Sequence, residues 1–120
     1  MKKVSILLLG HGLLEVLAGL GMIIFTTEAF PFTAVSPELQ MLGKSFGIAI
    51  IALGITALLS LKSHTKGTLV GAFSYHTIIT ILMWYQFLHS IGDIQNASIA
   101  VVIHGTLAIV FLISILKYKI

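Results

Sequence analysis

The sequence predicts an all-α polytopic membrane protein, an antiparallel bundle of four transmembrane helices with both termini cytoplasmic. Three observations predict it. Of the 120 residues 58% are hydrophobic and 9% charged, against about a quarter charged in an ordinary soluble domain. The apolar residues fall into four runs, each close to the roughly 20 residues that a spanning helix needs. The lysines gather at alternate breaks between those runs. A mean hydropathy of +1.09 would leave a water-soluble fold of this size covered in apolar patches that monomers rarely tolerate.

The first span is read as residues 4–25. Its Lys2-Lys3 start resembles a signal peptide, with Thr27-Glu28-Ala29 as a small-residue site. The apolar run is nevertheless longer than a signal core and carries His11 and Glu15 inside it. The second span is read as 37–61. Ser36-Pro37-Glu38 has the pattern of a helix start: N-cap hydroxyl, proline in first position, and a carboxylate at the positive end of the dipole. The third is read as 68–88, after the polar stretch Lys62 to Gly67, and the fourth as 97–116, with Asn96 as its cap. Asn96-Ala97-Ser98 also matches a glycosylation sequon, but a helix start explains it more simply. The breaks are short, so sequential helices are expected to be antiparallel neighbours in one domain.

Charge placement supplies the orientation. Lys2, Lys3, Lys62, Lys66, Lys117 and Lys119 all fall on one side of a four-span topology, and Glu28, Glu38 and Asp93 on the other. The positive-inside rule makes the lysine side cytoplasmic, in a bacterial inner membrane. Lys44 is the exception, expected to snorkel outward toward Glu38 or Glu28. Trp84 and Tyr85 fit the outer aromatic belt and Tyr118 the inner one. All seven cations are lysines. Without arginine the bidentate contacts that read bases are missing, which argues against nucleic acid as a partner. Without cysteine there is no disulfide, thiolate metal site or dithiol relay.

Helix association in lipid depends on small residues. Gly43, Gly47 and Gly54 lie on one stripe of the second span, and Gly12 and Gly19 lie one heptad apart on the first. Either stripe fits a seam within the chain or the face of a homodimer. On the third span Ala72, His76 and Thr80 share a stripe, as Ala100, His104 and Ala108 do on the fourth. Small neighbours around each histidine place both inside the bundle.

The ligand-binding candidates are the ionisable residues that hydrocarbon penalises: His11, Glu15, His76 and His104. At about 1.5 Å per residue, His11 and His76 come out roughly 10 to 12 Å deep, and Glu15 and His104 roughly 16 to 18 Å. His11 and Glu15 are also i,i+4 neighbours. Several chemistries fit such a layer. Imidazoles and a carboxylate can hold a divalent metal. Two histidines can ligate a haem, with Gly10, Gly12 and Gly105 leaving room for the macrocycle. Glu15 and the histidines can pass protons to a bound apolar ligand such as a quinone or lipid. A buried network that fixes helix register needs no ligand at all. A fifth possibility makes the chain an accessory subunit of a larger membrane complex. Tyr75, Gln86, Thr56 and Thr106 are further hydrogen-bonding groups, while His64 and His89 read as loop and interfacial residues. No phosphate-binding loop, nucleophile elbow or mid-span Schiff-base lysine is present.

Gly10 to Glu15, reading Gly-His-Gly-Leu-Leu-Glu, and Gly43 to Gly54, reading Gly-Lys-Ser-Phe-Gly-Ile-Ala-Ile-Ile-Ala-Leu-Gly, give the chain a layout that resembles the small bacterial four-helix membrane proteins of the broad DoxX-like group. The likeness spans the whole chain and rests on hydropathy and glycine placement. It implies a four-helix fold and links to quinone-coupled oxidation or to chaperoning of membrane partners. Glu15 would stand where such first helices carry an early charged residue.

Overall fold

The computed structural model describes residues 2–25, 37–63, 65–90 and 94–118. They form four α-helices: α1 (Lys2–Ile24), α2 (Pro37–Leu59), α3 (Lys66–Leu88) and α4 (Ile94–Lys117). No strand occurs among the described residues. Each helix has 23 or 24 residues, about 35 Å at 1.5 Å per residue, against a hydrocarbon core of about 30 Å. All four are long and apolar enough to cross a membrane. Their outward faces are as apolar as their packed ones: Leu59 is 78% exposed, Leu116 76% and Met41 71%. Helices that are hydrophobic all round belong in a large core or in lipid.

The helix ends refine the sequence reading by a few residues. Pro37 opens α2 as expected, with Ser36 outside the described residues. α3 begins at Lys66 rather than Thr68, because Thr65 is its N-cap. The Thr68 amide donates to Thr65 Oγ1 and the Thr65 amide to Thr68 Oγ1, both at 3.3 Å. This reciprocal capping box satisfies two otherwise orphaned donors. α4 begins at Ile94, so Asn96 lies inside the helix and is not its cap. Glu28, Asp93, His64 and Lys119 fall outside the described residues, and so does the end of the path proposed for Lys44 toward Glu28; Lys44 itself is exposed. Helical hydroxyls are largely satisfied within their own helix. Ser45, Thr56, Ser60, Thr77, Thr80 and Ser114 each donate to the carbonyl four residues earlier, at 2.7 to 2.9 Å, the back-bonding open to helical serine and threonine.

The chain divides into two compact units, residues 1–63 and 64–120. Each is a helical hairpin. In the first, α1 and α2 pack through glycine. A Cβ on Gly12 would stand 2.9 Å from the Gly54 carbonyl oxygen, and a Cβ on Gly54 would stand 2.7 Å from that of Gly12. One heptad along, a Cβ on Gly19 would stand 2.5 Å from the Gly47 carbonyl oxygen, and the reverse distance is 2.8 Å. One heptad the other way, the Ser5 hydroxyl donates to the Leu61 carbonyl at 3.0 Å. Every seven residues forward on α1 thus meets seven residues back on α2. That regularity is an antiparallel seam with a 3.5-residue period, the period of shallow left-handed crossings.

The second hairpin joins α3 and α4 through a connection of only five residues, 89–93, so the two helices run antiparallel. α3 ends at the cap residue His89, whose amide donates to the Tyr85 carbonyl at 3.1 Å. Ser90 follows with φ of 52°, the left-handed conformation that closes many helices and suits glycine best. The packed stripe comprises Leu69, Ala72 and His76 on α3 and Ala97, Ala108 and Phe111 on α4, all buried. These positions recur at intervals of three, four or eleven, the spacing of one helix face.

Candidate histidine and glutamate site

In the first hairpin, Leu8, Gly12, Glu15, Gly19 and Met22 are buried along one stripe of α1, at alternating steps of four and three. Glu15 therefore stands between the two seam glycines. His11 lies one turn before it. Both are enclosed, His11 2% and Glu15 1% exposed. His11 Nδ1 and Glu15 Oε1 are 3.6 Å apart. That spacing exceeds a good hydrogen bond but lies within Coulomb reach of a protonated imidazole.

In the second hairpin, His76 and His104 meet directly, Nδ1 to Nδ1 at 2.8 Å. His76 is fully buried and His104 half-buried. Phe111, two turns along α4 from His104, lies nearly parallel against the His76 ring, with centroids 5.7 Å apart and planes 17° apart. Tyr75 presents itself edge-on to both imidazoles, at 5.1 Å from His76 and 5.9 Å from His104. Thr80 Oγ1 donates to the His76 carbonyl at 2.7 Å. A Cβ on Gly105 would make only ordinary contact with Thr80, at 3.6 Å.

The four predicted residues thus resolve into two pairs, one within each hairpin. His11 joins Glu15, as their i,i+4 spacing predicts, and His76 joins His104, although the rise per residue had set those two about one turn apart in depth. Of the other hydrogen-bonding groups, Tyr75 belongs to the His76–His104 cluster. Thr56 does not reach beyond its own helix, because its hydroxyl bonds the Ala52 carbonyl at 2.8 Å. His89 caps α3 in an exposed position, its ring 4.2 Å from that of Tyr85. Phe111 went unmarked in the sequence. Its place seven residues after His104 was the signal, since that spacing repeats the same helix face.

Comparison with protein-family models, curated proteins and solved structures finds no match. The chemistry of the two pairs must speak for itself.

Proposed function

We propose that the protein is a multi-pass membrane protein of a bacterial inner membrane in which the buried His11 and Glu15 of the first hairpin and the His76 and His104 of the second are polar groups that bind a small apolar ligand, a quinone or a lipid. One observation carries the reading. A carboxyl group and two imidazoles are almost wholly enclosed in helices long and apolar enough to cross a membrane. An intramembrane ionisable residue is costly and ordinarily marks a site of function. A quinone or lipid head offers carbonyl and hydroxyl groups that imidazole and carboxyl can bind, and its tail suits the surrounding Leu, Ile and Phe. The resemblance to DoxX-like proteins points the same way.

The topology supports the membrane assignment. A hairpin returns the chain to the side where it began. Lys3 and Lys62 lie at the same end of the first hairpin, as the Ser5–Leu61 bond requires. Lys66 and Lys117 lie at the open end of the second. With these ends cytoplasmic, both termini are cytoplasmic as well. Reporter fusions test this: cytoplasmic reporters at either terminus should be active and periplasmic ones silent.

The ligand is tested by native mass spectrometry of the purified protein together with its thermal stability in detergent. Glu15→Gln keeps the volume and much of the hydrogen bonding. It should therefore fold nearly as well as the wild type while losing the co-purifying species, and His104→Ala should lose it too. If all three proteins carry the same species, or none carries any, the cluster is a packing device and the chain an accessory subunit. A Soret band in the purified protein would replace the quinone or lipid by haem.

A further inference from the structure

The open ends of the two hairpins are built alike. In the first, the Ser5 hydroxyl donates to the Leu61 carbonyl at 3.0 Å, which brings Lys3, two residues before Ser5, to the same end as Lys62, the residue after Leu61. In the second, Lys66 is the first residue of α3 and Lys117 the last of α4, so the antiparallel pair sets both at one end. Each hairpin thus presents one lysine from each arm. All four are exposed.

Nothing nearby in either hairpin neutralises these charges. In the first, Glu15 lies twelve residues along α1 from Lys3, about 18 Å at 1.5 Å per residue, and Glu38 is in the first turn of α2, at the other end. The described residues of the second hairpin include no acidic residue. None of the four lysines makes an ion pair among the described residues. Next to the charges the helix faces are apolar and bare. Ile6 and Leu13 share a face of α1 with Lys3 and are 68% and 49% exposed. Leu59 stands three residues before Lys62, Val70 one turn after Lys66 and Ile113 one turn before Lys117, all exposed.

We propose that the open end of each hairpin is a docking surface for an anionic phospholipid, with the head-group phosphate between the two lysines and the acyl chains along the bare Leu, Ile and Val beside them. Charge complementarity selects the head group, and the apolar faces select a lipid over a free phosphate, which would leave them uncovered. Lysine suits the place, because its four-carbon stem lies along apolar surface while the ammonium reaches the head-group level. A zwitterionic lipid brings its own cation to the site and gains less. The surface rests on the reading of the chain as membrane-spanning and draws on none of the groups assigned to the buried ligand.

The test uses the full-length protein in phosphatidylcholine vesicles that carry a trace of spin-labelled phosphatidylglycerol or of spin-labelled phosphatidylcholine. The motionally restricted fraction of each label gives the lipid preference, and resistance to alkaline extraction reports insertion. The wild type should favour phosphatidylglycerol at these sites by about five-fold for each lysine that reaches the phosphate, less in high salt. Lys3→Gln with Lys62→Gln, and Lys66→Gln with Lys117→Gln, should each remove part of the preference, and all four together should erase it. Lys3→Arg with Lys62→Arg should keep it. Lys44→Gln should leave it unchanged, since that exposed lysine lies toward the other end of α2, and so should Glu15→Gln, which separates this surface from the buried site. Equal restriction of the two labels, a preference that survives all four Lys→Gln changes, an equal loss from Lys44→Gln, or displacement by inorganic phosphate beyond that by sodium chloride of equal ionic strength would each overturn the docking surface. Protein that fails to insert would overturn the membrane reading and this proposal with it, whereas inserted protein without a lipid preference overturns this proposal alone.

Discussion

The two hairpins solve the same problem by opposite means. α1 and α2 approach by removing side chains, so that at Gly12, Gly19, Gly47 and Gly54 backbone lies against backbone. α3 and α4 associate through what their side chains bring, a bond between two histidines framed by Tyr75 and Phe111. Close backbone approach and interhelical hydrogen bonds are the two ways apolar helices associate when burial of apolar surface does not drive them together. The difference teaches that mutational tolerance should be distributed differently in the two hairpins. The first should be intolerant of added atoms and the second intolerant of lost ones.

The largest effect expected of a single methyl group is in the first hairpin. Gly54→Ala or Gly19→Ala drives a Cβ into a carbonyl oxygen that cannot step aside, which should cost about 3 kcal/mol or more. Gly10→Ala is its control. No neighbour stands near Gly10, so the same change there should stabilise by about 0.5–1 kcal/mol through helix propensity. Unfolding of the purified protein in detergent or bilayers distinguishes them, and equal effects at the two sites would dissolve the seam.

Next in size are deletions in the second hairpin. His76→Ala removes a fully buried ring from its stack with Phe111 and strands a partner nitrogen, at about 1–3 kcal/mol. Gly105→Ala, which adds an atom in the same hairpin, should be close to neutral, since its Cβ meets Thr80 at ordinary distance. A double-mutant cycle between His76→Ala and His104→Ala should return a coupling of about 0.6–1.7 kcal/mol, the range for interhelical hydrogen bonds in membranes. Zero coupling would mean that the hairpin is held by its apolar stripe alone.

The smallest expected effect is at the end of α3. Ser90 holds φ of 52°, so Ser90→Gly should raise stability by at most about 1 kcal/mol. The change should appear in thermal unfolding while leaving the histidine pair untouched.

What the sequence disclosed follows the same division. The four helices were legible because each is a long apolar run bounded by polar breaks. The His11–Glu15 pairing was legible because it is local, four residues on one helix. That small residues flank His76 and His104 told that both face inward. Which glycine meets which was not legible, because Gly43, Gly47 and Gly54 all fit the same stripe and the register depends on how two rods settle against each other. The start of α3 was missed because Thr65 and Thr68 look like loop polarity until their reciprocal bonds are seen. Phe111 was hidden among many apolar residues, and only the ring it stacks on marks it out.

The glycine seam also carries a consequence for how this sequence can change over generations. At most packed contacts a residue that grows can be accommodated by a partner that shrinks, and the two positions drift together. At Gly12 and Gly54, and at Gly19 and Gly47, each residue is already the smallest there is, and the atom in the way is the partner's carbonyl oxygen. No side-chain replacement opposite can make room. These four positions should therefore be frozen individually and show no paired substitution in descendants of this chain, while Gly10, equally glycine and two residues from Gly12, is free to vary.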